Sequence, residues 1–179
     1  MKNINIKKIS GILSHKNIAI IGHMGSGKSA FSRKVAKYLN IQHVDTDREI
    51  VKFENKSINH IFLHKGEEYF RKIERKIVSE LLNKINIIIS LGGGSILDNK
   101  IRELLKKNSF SVYLEVDLNI LKERLNKTKA RPLLINVDIL SKLQQLDLQR
   151  NKYYLNADLT INNSQSINKT LSDFIKYFD

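Results

Sequence analysis

The run Gly22-His23-Met24-Gly25-Ser26-Gly27-Lys28-Ser29 fits the pattern G-x-x-x-x-G-K-[ST] at every required position. Glycines in such a loop let the backbone curl so that successive N–H groups point at phosphate oxygens. A helix that starts at the end of the loop adds the positive end of its dipole. Lys28 would reach the β- and γ-phosphates as a point charge, and the Ser29 hydroxyl would ligate the Mg²⁺ that bridges them. The motif therefore points to a nucleoside triphosphate and magnesium. It does not separate a kinase from an ATPase, a GTPase or a motor.

Further along, Asp45-Thr46-Asp47 could serve an acceptor. In an extended chain the two carboxylates would share one face. One could hold a water on Mg²⁺ while the other accepts a hydrogen bond from a substrate hydroxyl. Asp47 could equally open a helix as its N-cap. Arg71 and Glu74 stand three apart and can pair on a helix. A guanidinium held in this way matches the two oxygens of a carboxylate, although a solvated helix face would carry the same residues. Gly92-Gly93-Gly94 permit close backbone approach to a ligand, or simply a turn. Residues 126–135 are polar, basic and interrupted by Pro132, and read as a cover able to close over the nucleotide. Arg131 would then neutralise charge on the transferring phosphoryl group. Arg150 is one more candidate anion contact.

The elements that must position these groups follow from hydrophobic period. Apolar, β-branched segments predict strands at Asn17 to Ile21, Ile85 to Leu91, Phe110 to Val116 and Asp158 to Ile161, with a weaker one at Gln42 to Thr46. Helical spacing appears over Lys28 to Leu39, where Phe31, Val35, Ala36 and Leu39 share a side, and over Glu67 to Leu82. Further helices are expected at Asp98 to Lys106, Asn119 to Leu125, Asp138 to Tyr154 and Ile167 to Tyr177. Alternating strands and helices imply an α/β fold with a parallel sheet covered on both faces. In such sheets ligands bind at the carboxyl ends of the strands, where these motifs fall.

The size of the chain, 179 residues, suits one domain. With no cysteine, a disulfide framework and a thiolate metal site are both excluded. No run approaches the ~20 apolar residues of a membrane span. Residues 1–16 carry scattered lysines without the continuous apolar stretch of a signal peptide, and read as a short, partly ordered extension of a cytoplasmic protein. The net charge of +13 comes mostly from lysines spread along the chain, which suits anion attraction better than a dedicated nucleic-acid surface.

Taken in order and spacing, GHMGSGKS, DTD, GEEYFRKIE, LGGGS, ARPLL and QRNKYY resemble shikimate kinase over nearly the whole chain from about Asn17 onward. The P-loop alone is generic, whereas DTD, GE-x-x-FR and GGG together are far more specific. The resemblance implies a three-layer α/β/α P-loop kinase with a five-stranded parallel sheet. Residues 17–179 would form the domain, with a substrate-binding segment at 46–75 and a lid at 126–135. It implies an ATP site of Gly25, Ser26, Gly27, Lys28, Ser29 and Ala30, with Arg124 and Gln165 beside adenine and the lid residue Arg131 on the phosphates. Ser29 and Asp45 would serve Mg²⁺. Asp47 would meet shikimate hydroxyls, Arg71 and Arg150 its carboxylate, and Gly93, flanked by Gly92 and Gly94, would approach it closely. Lys28, Asp47 and Arg131 would be the catalytic set.

The implied reaction phosphorylates shikimate from ATP in a cytoplasmic monomer, with no nucleic-acid or membrane partner. Three features depart from the pattern. Ala30 replaces a common threonine, His23 stands where an apolar residue or proline is usual, and the N-terminal extension is long. Other P-loop kinases such as gluconate kinase share the cradle, but would not be expected to carry DTD, FR and GGG together. A nucleic-acid-stimulated ATPase would not require Asp47 and Arg71 to face one pocket. A binding protein that had lost its chemistry would leave Lys28, Ser29, Asp45, Asp47 and Arg131 free to drift.

Overall fold

The computed structural model describes residues 2–127 and 138–179. Strands β1 (Asn17–Ile21), β2 (Gln42–Asp45), β3 (Ile87–Ser90), β4 (Ser109–Glu115) and β5 (Leu159–Asn162) form one parallel sheet. Their order is β2-β3-β1-β4-β5. The helices are α1 (Lys2–Leu13), α2 (Lys28–Leu39), α3 (Thr46–Glu54), α4 (Ile58–Leu82), α5 (Asn99–Asn108), α6 (Leu118–Asn126), α7 (Ile139–Tyr154) and α8 (Ile167–Lys176).

Strands β1 and β3 are buried along their full length because both sheet faces are covered. Alternate residues feed two cores. Ile18, Ile20, Ile88 and Val112 pack with Phe31 and Val35 of α2 and Phe174 of α8. Ala19, Ile21, Ile89 and Tyr113 pack with Phe70 and Val78 of α4, Ile101 of α5 and Tyr154 of α7. The register pairs Ile20 with Ser90 on one side and with Val112 on the other. From β1 the chain passes through α2 to β2 at one edge of the sheet, while β4 pairs with the other side of β1. The carboxyl end of β1 is thus a topological switch point, where open α/β sheets bind ligands.

Four local features differ from the sequence reading. The N-terminal segment is helix α1, and its Ile9 and Leu13 are 0% and 3% exposed in the core shared with β1. Their spacing of four places both on one helix face, and no continuous apolar run is required for that. Lys8 Nζ also donates to the Asp179 carbonyl at 2.6 Å, tying the two ends together. Second, residues 46–54 are helical. Asp45 captures the free N–H groups of Asp47 and Arg48, so the chain turns into α3 one residue after β2 ends. Third, α4 begins at Ile58 behind its Ser57 cap and breaks at Gly66 (φ 80°, ψ 170°), whereas the periodic pattern predicted only Glu67 to Leu82. That backbone region is essentially restricted to glycine. Fourth, Ile85 lies outside β3 and is exposed, which shortens the predicted third strand. The expected cover at 126–135 lies largely outside the described residues.

Candidate active site

Two cavities open at the carboxyl edge of the sheet. The phosphate loop forms one wall of the first, a cavity of about 470 Å³ lined by Gly25, Gly27, Lys28, Ser29, Ala30 and Arg124 among others. Helix α2 starts directly behind Gly27, whose backbone is left-handed (φ 90°). The free N–H groups of the first helical turn therefore face this cavity together with the positive end of the dipole. Lys28 Nζ donates to the carbonyls of Gly22 and His23, each at 2.7 Å. Arg124, on the last turn of α6, donates to the Asn163 carbonyl at 2.7 Å and borders the same space.

Oxygen ligands converge at the floor. Ser29 Oγ donates to Asp45 Oδ2 at 2.5 Å, and Ser90 Oγ donates to the same oxygen at 2.9 Å. Burial works to raise the Asp45 pKa, but hydrogen bonds from Ser29, Ser90 and the Arg48 N–H outweigh it and hold the carboxyl below its ordinary value. One hydroxyl and one ionised carboxylate fit Mg²⁺, which takes few protein oxygens and completes its shell with water and phosphate. Asp45 is the N-cap of α3, and Asp47 lies within the first helical turn, so the two carboxylates are not paired along an extended strand. Their separation into cap and helix follows from the two N–H groups that Asp45 accepts, at 3.1 Å and 3.3 Å.

The second cavity, about 370 Å³, is lined by Asp47, Arg71, Glu74, Gly92, Gly93, Gly94 and Arg150, with Ile58, Phe62 and Phe70 as apolar wall. Arg71 is a clamped fork. Its Nη1 donates to Glu74 Oε2 at 2.6 Å, while Nε and Nη2 donate to Glu67 Oε1 at 3.2 and 2.9 Å. Burial acts to lower the Arg71 pKa, but Glu74 and Glu67 more than offset it and raise it. Glu74 is itself 3% exposed and accepts from Ser95 Oγ at 2.7 Å through its other oxygen. The guanidinium lies so close to Gly94 that a Cβ there would fall 2.5 Å from Nη1, so a side chain at this position would displace the clamped fork. Arg150, on α7, is 3% exposed, and its Nε has no hydrogen-bond partner among the described residues. Burial lowers its pKa, and the nearby positive charge of Arg71 adds to that, while Tyr154 and Glu74 act in the opposite direction. Among the described residues no carboxylate forms an ion pair with Arg150. A ligand carboxylate would supply the counter-charge that Arg150 lacks.

The two cavities share Met24, Asp47 and Gly93 as lining residues. Of the residues singled out in the sequence, Asp47, Arg71, Gly92, Gly93, Gly94 and Arg150 line the second cavity. Gly25, Gly27, Lys28, Ser29, Ala30, Asp45 and Arg124 line the first. Ser26 is buried beneath the loop, where its carbonyl accepts from Asn163 Nδ2 at 2.6 Å. Gln165 is exposed after β5 and lines neither cavity. Arg131 lies outside the described residues. Sequence reasoning passed over Ile58, Asn59 and Phe62, because a helix as short as residues 58–65 shows too few periodic positions to register. It also passed over Asn163, whose buried amide joins Ser26 to Thr170.

A family model for shikimate kinase matches residues 24–178. The chain is similar to a shikimate kinase of Buchnera aphidicola subsp. Baizongia pistaciae, 42% identical over 156 residues, covering 85% of this chain and 90% of that one. It is similar to a shikimate kinase of Xylella fastidiosa, 41% identical over 138 residues and covering 77% of each. Its fold matches the structure of a shikimate kinase from Acinetobacter baumannii in complex with shikimate, with a TM-score of 0.87 and 31% identity, over 93% of this chain and 94% of that one.

Proposed function

The chain belongs to the shikimate kinase family, and on that premise we propose that it transfers the γ-phosphoryl group of ATP to the 3-hydroxyl of shikimate, giving shikimate 3-phosphate and ADP. The observation that carries the reading is the shared wall of Met24, Asp47 and Gly93 between the phosphate-loop cavity and the arginine-lined cavity. Donor and acceptor bound in the two spaces would meet at Asp47.

Each residue then has a physical task. The loop N–H groups and Lys28 hold the β- and γ-phosphates, and Lys28 leaves its carbonyl partners to follow the charge. Arg71 and Arg150 bind the acceptor carboxylate, which fixes the ring and turns one hydroxyl toward the phosphate. Asp47 accepts that hydroxyl's hydrogen bond and receives its proton as the bond to phosphorus forms. The bond from phosphorus to the β–γ bridging oxygen breaks, and ADP leaves with that oxygen. Such a transfer is mostly a matter of positioning and charge stabilisation. Ser29 and Asp45 would hold Mg²⁺, which when bound neutralises charge on the β- and γ-phosphate oxygens. Arg124 is placed beside the nucleotide, and Arg131 would add charge from the segment at 126–135.

We take a monomer as the working unit. Among the described residues no helix is long and apolar enough to cross a membrane. A cysteine-free enzyme that consumes ATP fits the cytoplasm. The deciding test is coupled ADP release with Mg²⁺ and either shikimate, gluconate or no acceptor. ADP should appear rapidly with shikimate only. Equal rates with and without shikimate would overturn the reading.

A further inference from the structure

His23 occupies the second position of the phosphate loop and is 2% exposed. A buried imidazole in a loop that otherwise offers backbone N–H groups needs a reason. Its Nε2 lies 2.9 Å from Asp147 Oδ1, and its Nδ1 has no partner among the described residues. Burial lowers the His23 pKa most strongly, against the pull of Asp147, and the positive charges of Arg150 and Lys28 lower it further. The neutral ring with its proton on Nε2 is the state that satisfies this surrounding, because an imidazolium would bury an unpaired Nδ1–H. His23 therefore donates to Asp147.

Asp147 lies on α7, in the same helix as Arg150 and Tyr154. Spacings of three and four residues put these three side chains on one helix face. That face touches both halves of the site. Asp147 reaches the phosphate loop, Arg150 lines the acceptor cavity, and the Tyr154 hydroxyl donates to the Gly93 carbonyl at 2.5 Å. The His23 ring also meets Tyr154 edge to face, with centroids 5.0 Å apart. Hence one loop residue grips α7 one turn away from the arginine that faces the acceptor.

We infer that His23 and Asp147 form a positioning pair that fixes α7 to the phosphate loop and so sets the place of Arg150 in the acceptor cavity. Neither residue touches the reacting atoms. The pair makes acceptor affinity depend on a side chain of the nucleotide loop. This inference rests on the acceptor role given above to Arg150.

The test compares steady-state kinetics of wild type with Asp147→Ala, Asp147→Asn, His23→Phe and the His23→Phe/Asp147→Ala double variant. Asp147→Ala should raise the shikimate KM about five- to tenfold, less than the full worth of a hydrogen bond to a charged group because the loss reaches Arg150 only through α7. The ATP KM should move less than about twofold, since the loop backbone and Lys28 remain. Asp147→Asn keeps an oxygen for Nε2–H and should restore most of the affinity. His23→Phe should match Asp147→Ala, and the double variant should be no worse than either single one. A purely structural contact would instead lower the melting temperature and leave the ratio of the two KM values unchanged, and that result would overturn the inference. If His23→Phe fails to fold, the pair of substitutions at the partly exposed Asp147 still decides it. Wild type that forms no ADP with shikimate would sink the acceptor reading itself. Wild type that turns over normally beside an unaffected Asp147→Ala would sink only the positioning pair.

Discussion

Two guanidinium groups face the acceptor cavity, and they are held differently. Arg71 is fixed by Glu74 and Glu67 through three of its donors, with burial of Glu74 anchoring the arrangement. Arg150 is buried beside Tyr154 with no ion-pair partner among the described residues, and its Nε is left over. An ammonium at position 71 would keep the charge and lose the fork. Arg71→Lys should therefore raise the shikimate KM about tenfold, corresponding to about 1.4 kcal/mol, with little change in the ATP KM. Steady-state titration of each substrate at saturating levels of the other measures both. Asp47→Asn should act on the other parameter. It keeps the shape of the side chain but weakens its acceptance of the hydroxyl proton, so kcat should fall by about 10²-fold or more while ATP binding persists. A kcat within a few-fold of wild type would remove Asp47 from the catalytic set.

At the scale of elements, the strands and long helices could be read from the sequence because their periods are sustained. β1, β4 and α2 appear within a residue of expectation. The short helices around the acceptor could not be read so well. α3 depends on Asp45 choosing to cap instead of extending, and that choice is made jointly with Ser29 and Ser90, which are distant in sequence. The same limit applies to site residues. Lys28 and Ser29 are legible from the motif alone, whereas the burial of Glu74 and Arg150 depends on α4 and α7 packing over the sheet. Gly66 gives this element a direct test. Its φ of 80° and ψ of 170° let residues 58–65 bend away from the rest of α4 and place Ile58 and Phe62 at the acceptor cavity. A Cβ there meets nothing within 4 Å, so Gly66→Ala would suffer only backbone strain. The cost should be about 1–3 kcal/mol. The chain can relieve it by running α4 straight, which would draw Ile58 and Phe62 off the cavity. Lower thermal stability together with a raised shikimate KM is the expected pair of results. An unchanged melting temperature would show that the bend carries no strain to be relieved.

Across the whole molecule, the charge of +13 is the remaining feature that needs a physical role. Lys28, Arg33 and Arg124 outnumber Asp45 and Asp47 around the nucleotide cavity, whereas Asp47 and Glu74 balance Arg71 and Arg150 in the acceptor cavity, so it is the nucleotide that approaches a positive mouth. ATP is an anion, and a field of this sign concentrates it and steers its encounter. That benefit is screened over a Debye length of about 10 Å at 0.1 M salt. kcat/KM for ATP should therefore fall severalfold between about 50 mM and 300 mM KCl, while kcat changes much less, because the charges inside the site are shielded from the solution. The same positive surface offers nonspecific attraction to nucleic acid, and the competing idea of a nucleic-acid-stimulated ATPase makes the opposite demand. It requires ATP consumption to rise when DNA or RNA is added without shikimate. Steering of small anions requires that added duplex DNA at low salt act, if at all, as a competitor that raises the ATP KM and never as a substitute for the acceptor. Measuring ADP release across the salt series with DNA and shikimate added separately places the two accounts in one experiment. Stimulation by DNA alone would overturn the steering account.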